Sequence, residues 1–518
     1  MNIDWRIRQR ISNTDLQSAY PNLQSAYFTI SGSLYSTLET IPTDELGNSS
    51  ITVNTGEYPA PYDITASVSV TLNNAASIFL EQTFEFNAGI QGSFVINTPE
   101  NAVAITFDSM CPKLKITQNE DQLTTLQRAL LDQCNSIQQA ISEGKSIEVS
   151  KVLRQISPEE VAVQSVIGTS FSNQQASNIA SRLSSVRRGT SQLSFNNLAL
   201  FHRGQTIPIA YMLNSAFALD ENKDIEPGSL LNNRLGIFVN GTASIGNRRT
   251  TAKEDGFEFD SYGLTLGADY RIKSSTFAGA ALGVSKSDVQ ISDQGGEMDA
   301  TGLSMNLYTS HYINDQWYLD GFVSLGNNQF DMQRKINFDL NGNVENRTAS
   351  SDTKGLQKSL SIGTGYDVHD GPLAATMYGT VHYSALSIDA FSESGAQELD
   401  VSISKQSITS ATSSVGIQAQ YTHSARWGIL IPFIGLSWEH EFNDAADTIN
   451  GTFSNDPFNT TFNIKTEKED PNYFTNVQGV TAILPQGISA YLKMENVMGK
   501  DFYKTTNISV GGRIELQF

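Results

Sequence analysis

Nowhere among the 518 residues does an apolar run approach the roughly 18–20 residues that a helix needs to cross a bilayer, so membrane-spanning helices are excluded. That absence does not exclude a membrane. A membrane barrel turns only every second residue to lipid, and its average hydropathy stays close to that of a soluble protein. The 39% hydrophobic residues and the mean hydropathy of −0.26 fit either case. Proline is scarce, with 14 residues against 39 glycines, 26 phenylalanines and 18 tyrosines, which suits long meandering strands. Positive charge is the minority: 34 Lys and Arg stand against 54 Asp and Glu, for a net charge of −20 and a pI near 4.7. There is no basic stripe with interleaved aromatics, so nucleic acid is not an expected partner, and the acidic excess reads as solvated loops. Only two cysteines occur, Cys111 and Cys134, with no Cys-x-x-Cys or His/Cys cluster. No metal site and no cofactor are therefore expected. One pair in an exported protein can close a short loop as a disulfide, the reading we favour, although Cys134 also fits as a small apolar member of a helical stripe. The opening residues Met1 to Arg6 are polar and no apolar stretch of a secretory leader follows. If the chain is exported, its signal is expected to have been removed or to lie upstream.

The pattern divides the chain into four parts. Residues 1–108 are rich in turns and short strands: Asp63 to Leu72 alternates apolar with polar at period two, and similar runs are read at Ile78 to Phe86 and Ala102 to Phe107. They suggest a small sandwich-like module. Over 109–189 the period becomes helical. Leu123, Leu126, Leu130, Cys134, Ile137 and Ile141 step by three and four along one face. A second helix is expected to open with Ser157 as N-cap, Pro158 in the first turn and Glu160 completing a capping box, and to stop at Gly189 after Arg187 and Arg188. Residues 190–232 form a connection, and 233–518 read as about twelve strands whose links alternate between short and long.

The last strands say what surrounds this sheet. Ile508, Val510, Gly512, Ile514, Leu516 and Phe518 fall on one face, and Ser509, Gly511, Arg513, Glu515 and Gln517 on the other. In 257–272, Tyr262, Leu264, Leu266, Ala268, Tyr270 and Ile272 oppose Gly263, Thr265, Gly267, Asp269 and Arg271, with aromatics near the ends of the apolar row, where interfacial girdles belong. Asp269, Arg271, Arg513 and Glu515 cannot all face lipid at several kcal/mol each. A polar lumen satisfies them, and closing the sheet leaves no unpaired edge in hydrocarbon. A large soluble sandwich is the competing reading.

The words that carry these strands resemble the translocator domain of type V autotransporters. RLGIFVNGTASIG (Arg234 to Gly246) followed by GFEFDSYGLTLGADYRI (Gly256 to Ile272) is similar to that family's opening hairpin. The likeness continues through AGAALGVSKSD (Ala278 to Asp288) and YLDGFVSLGNNQFDMQRKI (Tyr318 to Ile336), with Arg334 where the family tends to carry arginine. GTGYD (Gly363 to Asp367), SIDAFSESGA (Ser387 to Ala396) and PFIGLSWEHEF (Pro432 to Phe442) extend it, and Phe518 ends the chain as the family's assembly signal does. Upstream, SPEEVAVQ (Ser157 to Gln164) and RLSSVRRG (Arg182 to Gly189) resemble a segment found before the barrel in some members. The resemblance implies a mainly β fold: a twelve-stranded antiparallel transmembrane β-barrel preceded by a helical linker and the small N-terminal β-sandwich-like module. A helix somewhere within 158–232 would thread the lumen. It also implies outer-membrane lipid, periplasmic chaperones and the barrel-assembly machinery as partners, the last reading Ile514, Leu516 and Phe518. The N-terminal module would be displayed at the cell surface, binding an unknown ligand. Some family members are cut inside the pore at an asparagine pair; Asn196-Asn197 and Asn232-Asn233 match in composition only, and no cleavage is expected.

No catalytic signature appears. Gly-x-Ser-x-Gly, the phosphate-binding loop and His-Glu-x-x-His are all missing, and Trp438-Glu439-His440-Glu441-Phe442 lacks the second histidine. The chain is therefore read as an outer-membrane autotransporter translocator that anchors and exports its own N-terminal passenger, not as an enzyme. The alternative is an outer-membrane pore whose N-terminal region is a plug.

Overall fold

A computed structural model describes residues 98–119, 122–190, 235–484 and 488–516, together with Ile90 and strand segments at 2–5, 23–32, 35–42, 51–54, 62–72, 77–86, 199–202 and 205–208. It divides into two compact units: residues 1–157 with 339–343 and 455–462, and residues 158–338, 344–454 and 463–518.

In the first unit, Leu23–Gly32, Tyr35–Pro42, Tyr62–Leu72 and Ser77–Phe86 pair as a four-stranded antiparallel sheet, and Asn2–Trp5 pairs separately with Ile51–Asn54. The runs at Asp63 to Leu72 and Ile78 to Phe86 lie in two of these strands. Ala102 to Phe107 does not form a strand. It belongs to helix α1 (Pro99–Asn119), so helical structure begins ahead of residue 109. The backbone N–H of Asn101 donates to Thr98 Oγ1 and Pro99 occupies the first helical position, the N-terminal punctuation that marks a helix. Val103, Phe107, Met110 and Leu114 are all buried at steps of four, three and four. A short apolar run taken alone cannot tell a strand from a buried helix, and here the cap decides.

Helix α2 (Thr125–Ser142) is opened by a capping box in which Gln127 N–H donates to Thr124 Oγ1 and Thr124 N–H to Gln127 Oε1. Leu130, Cys134 and Ile137 are buried, while Leu126 is 37% exposed and falls outside the buried stripe. Cys111 of α1 and Cys134 of α2 form a disulfide, with Cα atoms 5.8 Å apart. Helix α3 (Ser146–Ile156) follows. Ser157 ends it rather than opening the next helix: its N–H donates to the carbonyl oxygens of Leu153 and Arg154. A 3-10 turn, Glu159–Val161, intervenes, and helix α4 (Ala162–Thr190) runs through Gly189 instead of stopping there. The expected capping box at Ser157 and Glu160 is not formed, because the Ser157 backbone is already committed to the preceding helix.

The second unit is a closed ring of twelve antiparallel strands: β1 (Leu235–Arg248), β2 (Phe257–Lys273), β3 (Thr276–Ile291), β4 (Gly296–Tyr312), β5 (Trp317–Leu340), β6 (Asn343–Asp370), β7 (Leu373–Ile388), β8 (Gln406–Tyr421), β9 (Gly428–Glu441), β10 (Asn472–Ile483), β11 (Ile488–Met498) and β12 (Tyr503–Leu516). Each strand pairs with its neighbours in sequence, and β12 returns to β1 with Val510 opposite Gly241 and Leu516 opposite Leu235. Register turns period-two sequences into rings of like side chains. Val239, Leu266, Leu282, Met305 and Leu325 stand opposite one another across five strands, all exposed on the outer wall. One residue along, Asn240, Thr265, Gly283, Ser304 and Gly326 form the corresponding inner row. Such an apolar outside and polar inside inverts a soluble barrel and matches hydrocarbon as the surrounding phase.

One end of the ring carries tight links, such as 274–275 and 371–372, together with Leu235 and Leu516. The other carries the long connections 249–256, 389–405 and 442–471. Within the long connections, Phe391–Ser392, Val401–Ile403 and Thr448–Phe453 pair into a small sheet of their own.

The outer wall makes a depth-dependent prediction. Leu266→Arg, near the middle of β2, should cost about 2–4 kcal/mol of unfolding free energy in lipid vesicles, and Ile245→Arg, near the long-loop rim of β1, about 0–1 kcal/mol. Equal costs in guanidinium titrations would be inconsistent with a bilayer around this face.

Candidate functional site in the barrel lumen

Helix α4 is polar on most of its circumference, a composition that neither lipid nor an apolar core would accept. It lies inside the barrel, where the polar inner rows meet it. Three of its apolar residues, Ile179, Leu183 and Val186, pack with Phe238, Phe277, Ala281, Tyr308 and Phe322 from β1, β3, β4 and β5.

Beside these residues runs a row of amides. Thr265 Oγ1 donates to Gln175 Oε1 at 2.9 Å, and Ser285 Oγ donates to Gln174 Oε1 at 2.9 Å. Asn178 Nδ2 donates to Thr265 Oγ1 at 2.9 Å, while Thr242 Oγ1 donates to Asn178 Oδ1 at 2.8 Å. The amide of Asn240 donates to the Asn178 carbonyl, and that of Gln357 to the Gly168 carbonyl, fixing the helix backbone as well. Glycines in the wall make this approach possible. A Cβ at Gly263 would lie 2.2 Å from Gln174 Oε1, and one at Gly283 would lie 2.1 Å from Gln175 Oε1. Both clashes are shorter than any real contact, so the amides occupy the space where these residues have no side chain.

At the short-turn end, Arg182 of α4 pairs with Asp269 of β2, Nε to Oδ2 at 2.6 Å, with the two side chains almost wholly buried. Tyr308 donates its hydroxyl to the same carboxylate at 3.1 Å, and the Arg182 guanidinium lies 5.0 Å over the Phe238 ring. Arg513 of β12 is adjacent: a Cβ at Gly236 would sit 2.8 Å from Arg182, 3.0 Å from Asp269 and 3.5 Å from Arg513.

At the long-loop end the chain enters the lumen through Glu159 and Glu160. Their carboxylates and that of Asp255 have oxygens within 4.8 Å of one another. Buried Arg334 of β5 donates to both oxygens of Glu393, at 2.9 and 2.7 Å, and its charge also acts on Glu159 and Glu160. Burial, followed by the neighbouring Glu159, pushes the Glu160 carboxyl well above its ordinary range, with Arg334 opposing. The group is a buried ion cluster centred on an arginine at the start of the lumen helix.

Of the four charges expected to need a wet interior, the structure brings Asp269 and Arg513 together at the short-turn end. Arg271 stands two residues beyond Asp269 on the same face of β2. The side chains of Glu515, Ile514 and Leu516 lie outside the described residues, as do Phe518, Asn196-Asn197 and Asn232-Asn233; the backbone of Ile514 and Leu516 pairs with Ile237 and Leu235. The residue that sequence reasoning missed is the partner of Asp269. Gln174, Asn178 and Arg182 recur every four residues, and this polar stripe was the signal that one face of the helix meets a polar wall.

The model of the autotransporter beta-domain family matches residues 237–495. Esterase EstA of Pseudomonas aeruginosa is 24% identical over 202 residues, 38% of this chain and 30% of that protein. Outer membrane protein B of Rickettsia japonica is 26% identical over 145 residues, 27% of this chain and 9% of that protein. The chain thus spans less than a third of the length of either relative. Among solved structures, the translocator domain of the autotransporter NalP from Neisseria meningitidis is 16% identical at a TM-score of 0.45, covering 55% of this chain and 89% of that one.

The Arg182–Asp269 pair predicts an asymmetry between single and double changes. Asp269→Ala strands buried arginines and should destabilise the detergent-solubilised chain by about 3–5 kcal/mol. Replacing both partners, Arg182→Met with Asp269→Leu, should recover most of that loss. Guanidinium unfolding monitored by tryptophan fluorescence distinguishes the two, and a double variant no better than the single one would deny the pair its role.

Proposed function

This chain belongs to the autotransporter beta-domain family, and on that premise we propose that residues 235–516 anchor it in the outer membrane and export its own N-terminal part. The supporting observation is the direction of α4. The helix begins at the long-loop end beside Arg334 and reaches the short-turn end at Arg182 and Val186, where β1 also begins. A segment preceding the helix therefore leaves the lumen at the end with long connections. In an outer-membrane barrel those face the medium and the tight turns face the periplasm.

In this reading the unfolded chain is recognised in the periplasm by chaperones and then by the barrel-assembly machinery, through the last strand, with Ile514, Leu516 and Phe518 as the apolar face. The passenger crosses while the barrel forms, and α4 is what remains in the lumen afterwards. The displayed part contains the four-stranded sheet at 23–86 and acts as a binding or adhesion module toward a surface ligand. The barrel is the anchor and conduit, not a catalyst, and the activity of the esterase relative is not carried over to this chain.

Protease added to intact cells tests the topology. With an epitope placed ahead of Leu23, proteinase K should remove the tag from whole cells and leave a barrel fragment protected by the membrane. A tag that survives until the outer membrane is permeabilised would replace this reading with the periplasmic-plug alternative.

A further inference from the structure

The lumen helix does not fill the barrel. It is held against the wall made by β1–β7, whereas toward β11 Ser177 accepts from Lys493 Nζ at 2.7 Å and donates to Glu495 Oε2 at 3.4 Å. A continuous cavity of about 820 Å³ remains along the other wall, with room for on the order of two dozen waters. It reaches both ends of the barrel, being lined by His369, Gln420 and Phe433 near the tight turns and by Asp447 and Glu467 among the long connections. Among the described residues, a path for water therefore runs beside the seated helix between the two ends of the barrel.

The net charge along this path is negative. Among the described residues that line it are ten carboxylates and three cationic side chains. Each of the three cations is already matched to a lining acid, Arg248 to Glu254, Lys493 to Glu495 and Lys500 to Glu469, and two further lining acids, Asp444 and Glu467, pair with Lys468 and Lys253. The excess is therefore carboxylate. It is spread along the axis, from Asp367 near the tight turns, through Glu439 and Glu441 on β9, to Asp447 at the far end. Glu439 accepts from the hydroxyls of Ser414, Ser437 and Thr475, and Glu441 from Ser410, Thr412 and the N–H groups of Ala411 and Asn443. Neither forms an ion pair among the described residues. Low-dielectric walls focus the field of such charges along a narrow aqueous path, raising the local concentration of counter-ions and opposing ions of like sign.

We infer that the assembled barrel, with its helix in place, is a cation-selective conduit for small hydrated cations, its selectivity set chiefly by Glu439 and Glu441. The inference needs the barrel to sit in a membrane but does not need it to export anything, so it stands or falls apart from the export reading. The full chain in planar bilayers, under a tenfold KCl gradient, provides the test. The reversal potential should favour potassium over chloride by about fivefold or more, and the preference should shrink as salt is raised from about 0.1 to 1 M, because screening shortens the reach of the carboxylates. Glu439→Gln with Glu441→Gln should reduce the preference about threefold while conductance in symmetrical salt stays of the same order. No conductance, no preference or a chloride preference in the unaltered chain overturns the inference. So does a double variant of undiminished selectivity. If that variant fails to insert, the salt series on the unaltered chain decides, a preference independent of salt counting against lining charge.

Discussion

Hydrocarbon offers nothing with which a strand edge can form hydrogen bonds, and the pairing of β12 with β1 is where this chain meets that constraint. Every other feature of the second unit follows from closing the ring. An even number of antiparallel strands returns both termini of the sheet to the same end. Two faces alternate along every strand, so the wall must be apolar on one side and accommodate whatever is left on the other. The outer row through Val239, Leu266, Leu282, Met305 and Leu325 is one half of that solution, and the inner row of Asn240, Thr265, Gly283 and Ser304 is the other.

A lumen so lined cannot be closed by an apolar plug without stranding its polar groups, and it cannot hold charges without counter-charges. Helix α4 answers both requirements. Its amides exchange hydrogen bonds with hydroxyls of the wall, its short apolar stripe meets a patch of aromatic side chains, and its ends are held by arginines: Arg182 donating outward from the helix to Asp269, and Arg334 reaching inward from the wall toward Glu159 and Glu160. The two ion clusters differ in kind. One pairs a helix cation with a single strand acid and a tyrosine hydroxyl; the other gathers several carboxylates about one strand cation.

The barrel was legible in the sequence because its signal is redundant. About twelve period-two strands were expected over 233–518, and the twelve strands of the ring lie there. Helices were harder. Ala102 to Phe107 carries alternating and helical periods at once, and only Thr98 and Pro99 separate them. Ser157-Pro158-Glu159-Glu160 looks like the opening of a helix in one dimension, but it bridges two helices, because the backbone of Ser157 is already engaged with Leu153 and Arg154. In the lumen, Asp269 could be placed on the inner face from its strand alone. Its partner could not, since Arg182 is 87 residues away and the docking of helix against wall is a relation between two periodicities.

The fit between the amides of α4 and the glycines of the wall also constrains descent. Gln174 lies where a side chain at Gly263 would be, and Gln175 where one at Gly283 would be. In a close-packed interior, two such sites share one volume, so neither member can grow unless the other shrinks. Lineages that diverge from this chain should change these positions in tandem, through intermediates with a small residue on both sides, and a hybrid joining the linker of one lineage to the barrel of another would inherit a plug cut for a different mould.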